Sequence, residues 1–495
     1  MAKSVNLLAF DIGAESGRVI LGRLDRGFIR LEEIYRFPNG PVPVFDHIYW
    51  DFLRLWNEMR YGLSLAAQVT SGDLTSLGVD TWGVDFALLG DDDTLVGNPH
   101  HHRDKRTDGI MEYTFQRVPR EEIYQTTGIQ FMQINSLFQL VAMVKARSPA
   151  LAYAKTFLGT PELFNFWLSG VKASEFTHAT TTQCYNPITG KWAYSLLKKL
   201  EIPAYIFGEI VPPGVVLGTL LPSVARECRS PEIPVITTAS HDTGSAVAAV
   251  PTSHPDYIYI SSGTWSLMGV EVHQPVITPE SLAYNLTNEG GAENTFRLLR
   301  NIMGLWILQE CRREWTSLDQ TLSYDDLTTL AAKAPPFGSI ILANEPRFLH
   351  PNDMPARVQA FCAETNQLIP QTKGEIARCV LESLALEYRW VAEGLEKVIG
   401  RPLPTIHIIG GGSRNRLLNQ FTADATAKTV ISGPSEATSI GNILVQAIAM
   451  GEISSIAEGR DIVCNSCEMT TYEPHETAAW DEAYARYLKL KELFM

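Results

Sequence analysis

The feature that most constrains this 495-residue sequence is a local pattern that occurs twice. Near the start, the apolar strand pattern Val5 to Asp11 runs into Ile12-Gly13-Ala14-Glu15-Ser16-Gly17. A second strand pattern, Arg18 to Leu24, follows at once. Roughly 250 residues later the arrangement returns: Tyr257 to Ser261, the turn Ser262-Gly263-Thr264, then Trp265 to Glu271. Each reads as a hairpin closed by a tight glycine turn. The same hairpin at the start of each half points to duplication of one architecture. Length alone, at ~150 residues per domain, would suggest about three domains; the repeat reduces this to two, with the boundary between residues 246 and 247.

The remaining pattern agrees. A third strand is expected at Ile29 to Phe37, and a helix at Asp51 to Val69 with Asp51 as its N-cap. Strands at Leu77 to Asp80 and Phe86 to Leu89 flank Thr81-Trp82-Gly83-Val84-Asp85. Helices are expected at Asn135 to Ala146, Pro161 to Leu168 and Ser195 to Leu200. The strand Pro231 to Thr238 leads through Ser240-His241-Asp242-Thr243 into a small-residue helix, Gly244 to Val250. Late in the chain a long helix, Gly374 to Val398, precedes the strand Thr405 to Ile409, the triplet Gly410-Gly411-Gly412 and a helix from Asn415 to Ala427. Strands alternating with helices indicate an α/β fold with a parallel or mixed sheet in each half.

Charge removes several classes of function. Lys+Arg 41 against Asp+Glu 55 gives a net −14. Such a chain is repelled by phosphate backbones and anionic lipid, so neither nucleic acid nor membrane is an expected partner. Small anions remain possible, because backbone dipoles bind phosphate whatever the net charge. No apolar run approaches the ~20 residues that span a bilayer. The start, Met1-Ala2-Lys3-Ser4, lacks signal-peptide architecture, and an odd set of seven cysteines fits a reducing compartment, so a cytoplasmic location is expected. Cys464-x-x-Cys467 has no partner pair and reads as incidental. Cys362 and Cys379 bracket a short polar segment and read as free thiols.

Several residues could do chemistry. Asp11 ends an apolar strand, where a carboxylate is costly unless it is paired or holds a cation. The turn that follows can present N–H groups to a phosphate, with Arg18 adding charge, or it can be a plain hairpin turn. Ile408 to Ser413 leaves room for a base or ribose against backbone, or is a structural turn; it is not a dinucleotide fingerprint, and a Walker lysine loop is absent. Asp242 reads as a helix cap or as a base taking a proton from a hydroxyl nucleophile. Asp80 to Asp85 suits a sugar, with the Trp82 face against C–H surface, or is a buried Trp beside a turn. His100-His101-His102 cannot all meet one ion, because successive side chains of an extended segment alternate in direction, so a loop without a metal role is expected. Arg103, Asp104 and Arg106 either bind substrate or form a surface ion-pair cluster.

Taken together, DIGAESGR (11–18), DTWGVDF (80–86), SHDT (240–243), SSGTWSLMG (261–269), NEGGAE (288–293), NIMGLW (301–306) and HIIGGGSRN (407–415) resemble the FGGY carbohydrate kinases of the sugar kinase–actin–chaperone superfamily. The rhamnulokinase branch is the most similar. The resemblance implies two RNase H-like domains with ATP and sugar in the cleft between them. It implies ATP contacts at Ala14, Glu15, Ser16, Gly17, Arg18, Thr264, Gln309, Gly410 and Gly411. It implies sugar contacts at Gly83, His241, Asp242, Thr243 and Asn301, with Asp242 as proton acceptor, and Asp11 near Mg²⁺ through water. The implied reaction converts ATP and L-rhamnulose to ADP and L-rhamnulose 1-phosphate, in a monomer or homodimer. L-Fuculose, D-ribulose or D-xylulose are alternative substrates, and a non-catalytic sugar sensor or a chaperone-type ATPase the alternative classes. Glu15 departs from the small polar residue many such kinases carry, and must point away from ATP or reach the metal through water. Cys362 and Cys379 match positions where some rhamnulokinases carry a cysteine pair, which raises the expectation of a disulfide.

Overall fold

Leu7, Leu8, Ala9, Phe10 and Ile12 have no exposed surface, so the strand Val5–Ile12 is apolar on both faces. A strand of that kind belongs in the interior of a covered sheet. In the computed structural model, which describes residues 4–318 and 322–494, it lies there; the sequence start at residues 1–3 falls outside the described residues. The chain forms two compact units, each drawn from separate stretches. The first comprises Met1–Ser253, Glu271–Leu298 and Ala437–Cys467, the second His254–Val270, Leu299–Glu436 and Glu468–Met495.

The first unit is built on a six-stranded sheet in the order Val216–Thr219, Pro234–His241, Ser76–Thr81, Val5–Ile12, Ser16–Asp25, Phe28–Pro38. The middle three strands, Pro234–His241, Ser76–Thr81 and Val5–Ile12, run parallel. The hairpin strands and Val216–Thr219 are antiparallel to their neighbours. The helix Phe52–Val69 starts where expected: the Asp51 side chain accepts from Arg54 N at 3.0 Å, and Phe52, Leu55, Met59 and Leu63 pack into the same core as Leu8, Phe10 and Val19.

The helix Ala437–Ala449 also belongs to this unit, although it lies more than 350 positions after two of the strands it packs on, Val5–Ile12 and Ser76–Thr81. Gln446 binds Ser76 Oγ and Leu8 O, and Asn442 Nδ2 reaches Asp80. Gly441 lets this helix approach the helix Asp242–Ala248 closely: a Cβ there would lie 1.7 Å from Ser245 O.

The second unit repeats the plan. Tyr257–Ser262 pairs antiparallel with Ser266–Val272 and parallel with Thr405–Ile409. Thr429–Ser432 continues the parallel set, and Thr470–Tyr472 closes it antiparallel. The long helix Lys373–Ile399 opens on a Thr372/Glu375 capping box and ends at Gly400 in the left-handed region. Both units therefore have the mixed α/β, RNase H-like arrangement of a hairpin beside parallel strands.

One boundary moved. The strand expected to stop at Thr238 continues through Ser240 and His241, and the helix starts at Asp242. Polar residues remain in the strand because Ser240 N and His241 N find buried acceptors on Glu175 and Thr177. All seven cysteines are free. Cys362 and Cys379 are buried and hydrogen-bonded to each other, not bridged. Among the described residues no helix is long and apolar enough to cross a membrane.

Gly441→Ala is expected to destabilise the protein by about 3 kcal/mol, because the clash falls on a backbone oxygen that cannot rotate away. Urea denaturation of the variant measures it.

Candidate active site

The parallel strands of the first unit end in acidic residues. Asp11 and Asp80 are direct partners in register, Ile12 faces Thr81, and His241 faces Thr81 from the other side. Asp242 follows one residue later. Three carboxylates thus collect at the carboxyl edge of one parallel set, where ligands bind in open α/β sheets.

Each has its own restraint. Arg18 Nη2 donates to Asp11 Oδ2 at 2.5 Å, and Ser439 Oγ donates to the same oxygen at 2.7 Å. Asn442 Nδ2 donates to Asp80 Oδ2 at 2.5 Å, while Asp80 Oδ1 is buried without a hydrogen bond. Burial, with the neighbouring Asp11 adding to it, pushes Asp80 well above the usual carboxylate range. Asp242 is also raised, first by burial and then by Asp11, with His241 acting in the opposite direction. Thr243 N and Oγ1 donate to Asp242 Oδ1 at 2.6 and 3.2 Å, and His241 Nε2 lies 3.4 Å from that oxygen. None of these contacts uses Oδ2.

A buried carboxylate behind the strand holds this segment in place. Glu175 accepts from Thr177 N, Thr177 Oγ1, His178 N and Ser240 N. Burial nevertheless pushes its pKa up to about 7, against those four donors. Thr177 Oγ1 in turn accepts from His241 N at 3.1 Å. Beside it, burial drives Glu162 well above the carboxylate range and His178 down to about 3.

The segment 80–86 is built differently from the sugar platform expected of it. The Trp82 indole is buried, lies 4.2 Å from the Trp50 ring between centroids, and donates to Asp85 Oδ2 at 2.8 Å. Trp50 Nε1 and His102 Nδ1 meet the same oxygen at 2.7 and 2.8 Å. The burial that would raise Asp85 is outweighed by His102, His101 and Trp82, and its pKa falls to about 2. Trp82 therefore serves the core and offers no open face. Gly83 sits against Thr181, which accepts from Val84 N, and Val84 has φ +67. A β-branched residue rarely adopts that conformation; Ser136 Oγ and Gln139 Nε2 hold it through Val84 O. The three histidines do not alternate: the His101 and His102 rings lie 4.3 Å apart between centroids, and both face Trp50. His101 and His102 turn to Trp50 and Asp85, and His100 packs near His47 and Asp104. Asp104 oxygens already accept from Ile48 N and Arg106 N, and Arg103 and Asp104 are buried, not a surface ion cluster.

The first hairpin turn is closed by Gly13 N donating to Ser16 O at 2.9 Å. Ala14 and Ser16 are half-buried and Glu15 is exposed at the tip. Gly17 is required by packing: a Cβ would lie 2.2 Å from the Phe37 ring. Whatever charge Arg18 offers a phosphate is shared with Asp11.

Within the second unit, Gly263 N closes the corresponding turn on Trp265 O, and Thr264 O accepts from Trp306 N. Gly410 has φ +81 and Gly412 packs on Ser262, with Oγ 2.0 Å from a built Cβ, whereas a Cβ on Gly411 would meet nothing within 4 Å. Gln309 Oε1 is buried without a hydrogen bond. Asn301 lies at the end of the strand Phe296–Ile302 and is half-buried.

Sequence reasoning missed Ser439 and Asn442, which brace Asp11 and Asp80, and Gln446, which donates to Asn442 Oδ1 and accepts from Ser76 Oγ. Their signal was present: they recur at i, i+3 and i+7 on an otherwise apolar helix, a polar stripe with no reason to be buried unless it has partners. Glu175 carries no such local signal.

The chain matches the model of the FGGY family of carbohydrate kinases, N-terminal domain, over residues 6–249 and that of the C-terminal domain over residues 258–450. It is 46% identical to a rhamnulokinase from Bacteroides thetaiotaomicron, over 97% of this chain and 98% of that protein. To a rhamnulokinase from Oceanobacillus iheyensis it is 44% identical, over 94% and 97%. Among solved structures, the fold is similar to gluconate kinase from Lactobacillus acidophilus (TM-score 0.81, 18% identity, 99% and 98% covered). It is also similar to Plasmodium falciparum glycerol kinase with ADP (TM-score 0.78, 14% identity, 99% and 98% covered). The chain belongs to the FGGY family of carbohydrate kinases.

Proposed function

We propose that this chain transfers the γ-phosphoryl group of ATP to the 1-hydroxyl of L-rhamnulose, giving L-rhamnulose 1-phosphate and ADP. The observation that carries the reading is the identity to rhamnulokinases over nearly the whole chain. The geometry of Asp242 agrees with it. Its Oδ1 is taken by Thr243 and His241, so Oδ2 is the oxygen left to receive a proton. As the sugar O1 bonds to phosphorus in line with the departing ADP oxygen, its proton passes to Asp242. Phosphoryl transfer asks little base strength and much positioning, which a carboxylate at a helix start, fixed from behind by Glu175, supplies.

We read residues 1–246 as the sugar-binding half with the first phosphate hairpin, and 247–495 as the nucleotide half. In this reading Gly83, His241, Thr243 and Asn301 contact the sugar. Ala14 to Arg18, Thr264, Gln309, Gly410 and Gly411 contact ATP. The orphaned Gln309 Oε1 and the open Cα face of Gly411 suit that role. The carboxylate edge also fits a divalent cation, since Asp80 Oδ1 is orphaned and burial beside other carboxylates raises Asp80. Asp11 would hold Mg²⁺ there through water, and the ion would neutralise charge on the transferring phosphates. The same fold serves kinases of other sugars, so the substrate is the point to test.

In an ADP-release assay, L-rhamnulose is expected to give the highest kcat/KM among L-fuculose, D-ribulose, D-xylulose and glycerol; a better rival sugar overturns the substrate. Asp242→Asn is expected to lower kcat by about 10²–10⁴-fold with ATP binding retained. Near-normal turnover would remove Asp242 from its role. Gly411→Ala is expected to raise the KM for ATP about tenfold, the equivalent of ~1.4 kcal/mol, with an unchanged melting temperature. Gly412→Ala, which collides with Ser262, is expected to lower the melting temperature instead.

A further inference from the structure

Arg297 is a charged side chain with no exposed surface. A guanidinium is expensive to bury, so its partners should account for it. Its Nε donates to Gly290 O at 2.7 Å. Its Nη2 lies 3.3 Å from Glu289 Oε2 and 3.1 Å from His241 Nδ1. Two protons on Nη2 serve those two acceptors, one each.

This contact decides the state of His241. A guanidinium has no acceptor, so the imidazole nitrogen facing it must present a lone pair. The single ring proton then sits on Nε2, on the side where Asp242 Oδ1 lies 3.4 Å away. The other tautomer would place Nδ1–H toward Glu289 Oε2, 3.3 Å away. It would also set Nδ1–H against an Arg297 N–H, and a bare Nε2 lone pair against the Asp242 carboxylate. Gaining the Glu289 contact would cost the Arg297 hydrogen bond and the attraction to Asp242. The other charged or titratable groups around His241 are Glu175 and His178, on the segment behind it.

We propose that Arg297, oriented by Glu289, is a positioning residue that fixes His241 as its Nε2–H tautomer, so that the ring N–H lies on the side of Asp242 Oδ1, 3.4 Å away, and Oδ2 is left for the acceptor hydroxyl. The inference rests on the reading of Asp242 as proton acceptor. It adds a component outside the catalytic segment, supplied by Glu289 and Arg297, and it gives the NEGGAE segment a purpose: Glu289 orients the arginine and Gly290 O takes its Nε proton.

The test combines a direct and a kinetic readout. In protein labelled with ¹⁵N-histidine, with His241 assigned by its loss in His241→Gln, long-range ¹H–¹⁵N spectra report which ring nitrogen is protonated. The wild-type protein is expected to show Nε2–H. Because Arg297 and Glu289 form an ion pair, the variants are Arg297→Lys and the charge-matched Arg297→Met/Glu289→Gln. The double variant is expected to show mixed tautomers and a kcat lower by about 10–100-fold, the range seen when a group orienting another functional side chain is lost. The KM for ATP is expected to stay within about twofold of wild type, because Arg297 lies on the His241 side of the site. Asp242 works only when ionised, so activity falls as pH drops through its pKa. Losing the His241 donor raises that pKa and moves the acid limb of kcat/KM to higher pH. Arg297→Lys is expected to recover part of both effects. A wild-type His241 protonated at Nδ1 overturns the proposal, even if the variants do not fold. So does a folded double variant with an unchanged tautomer and acid limb. If Nε2–H is found but Asp242→Asn retains normal turnover, the tautomer lock stands and the proton-acceptor reading fails.

Discussion

Asp11, Asp80 and Asp242 reach one edge of the first unit's sheet because three parallel strands end there together. Like charges at such spacing repel, and burial worsens the problem by removing water. The surroundings answer with a separate device for each. Arg18 and Ser439 bind Asp11, Asn442 binds Asp80, and Thr243 binds Asp242 with His241 beside it. The devices are unequal, so the carboxylates differ. Burial raises both Asp80 and Asp242, but Asp80 is fully buried, whereas the Asp242 side chain is partly exposed.

Two of these devices come from residues far along the chain. The helix Ala437–Ala449 brings Ser439 and Asn442 to strands near the start, and Gly441 permits the close helix approach that puts them there. The first unit therefore needs chain that is synthesised late, and its core contacts span most of the sequence. Long loop closure of this kind slows folding more than it costs stability.

Much was legible in the sequence where chemistry and local pattern coincide. The two hairpins, the Asp51 cap, the long 373–399 helix and the strand before Gly410 follow from periodicity and turn residues. Asp11 and Asp242 stood out as carboxylates at the ends of apolar strands. For Trp82 the sequence left two readings open, because an indole among carboxylates looks the same whether it lines a sugar site or, as here, is buried and donates to Asp85. The strand through His241 was underestimated because its polar residues are satisfied by Glu175 and Thr177, distant in sequence.

The amino-acid order alone determined the α/β class, the doubling of one plan and which carboxylates stand at the ends of apolar strands. These depend on patterns within a few residues, which need no partner to be known. Only the tertiary structure decided which groups flank each carboxylate, that Glu175 holds the His241 backbone, and that a fully buried Arg297 faces His241 Nδ1. Hydrogen bonding is directional and acts over about 3 Å. The partners here come from segments tens to hundreds of residues apart, so no local pattern could reveal which donor meets which acceptor.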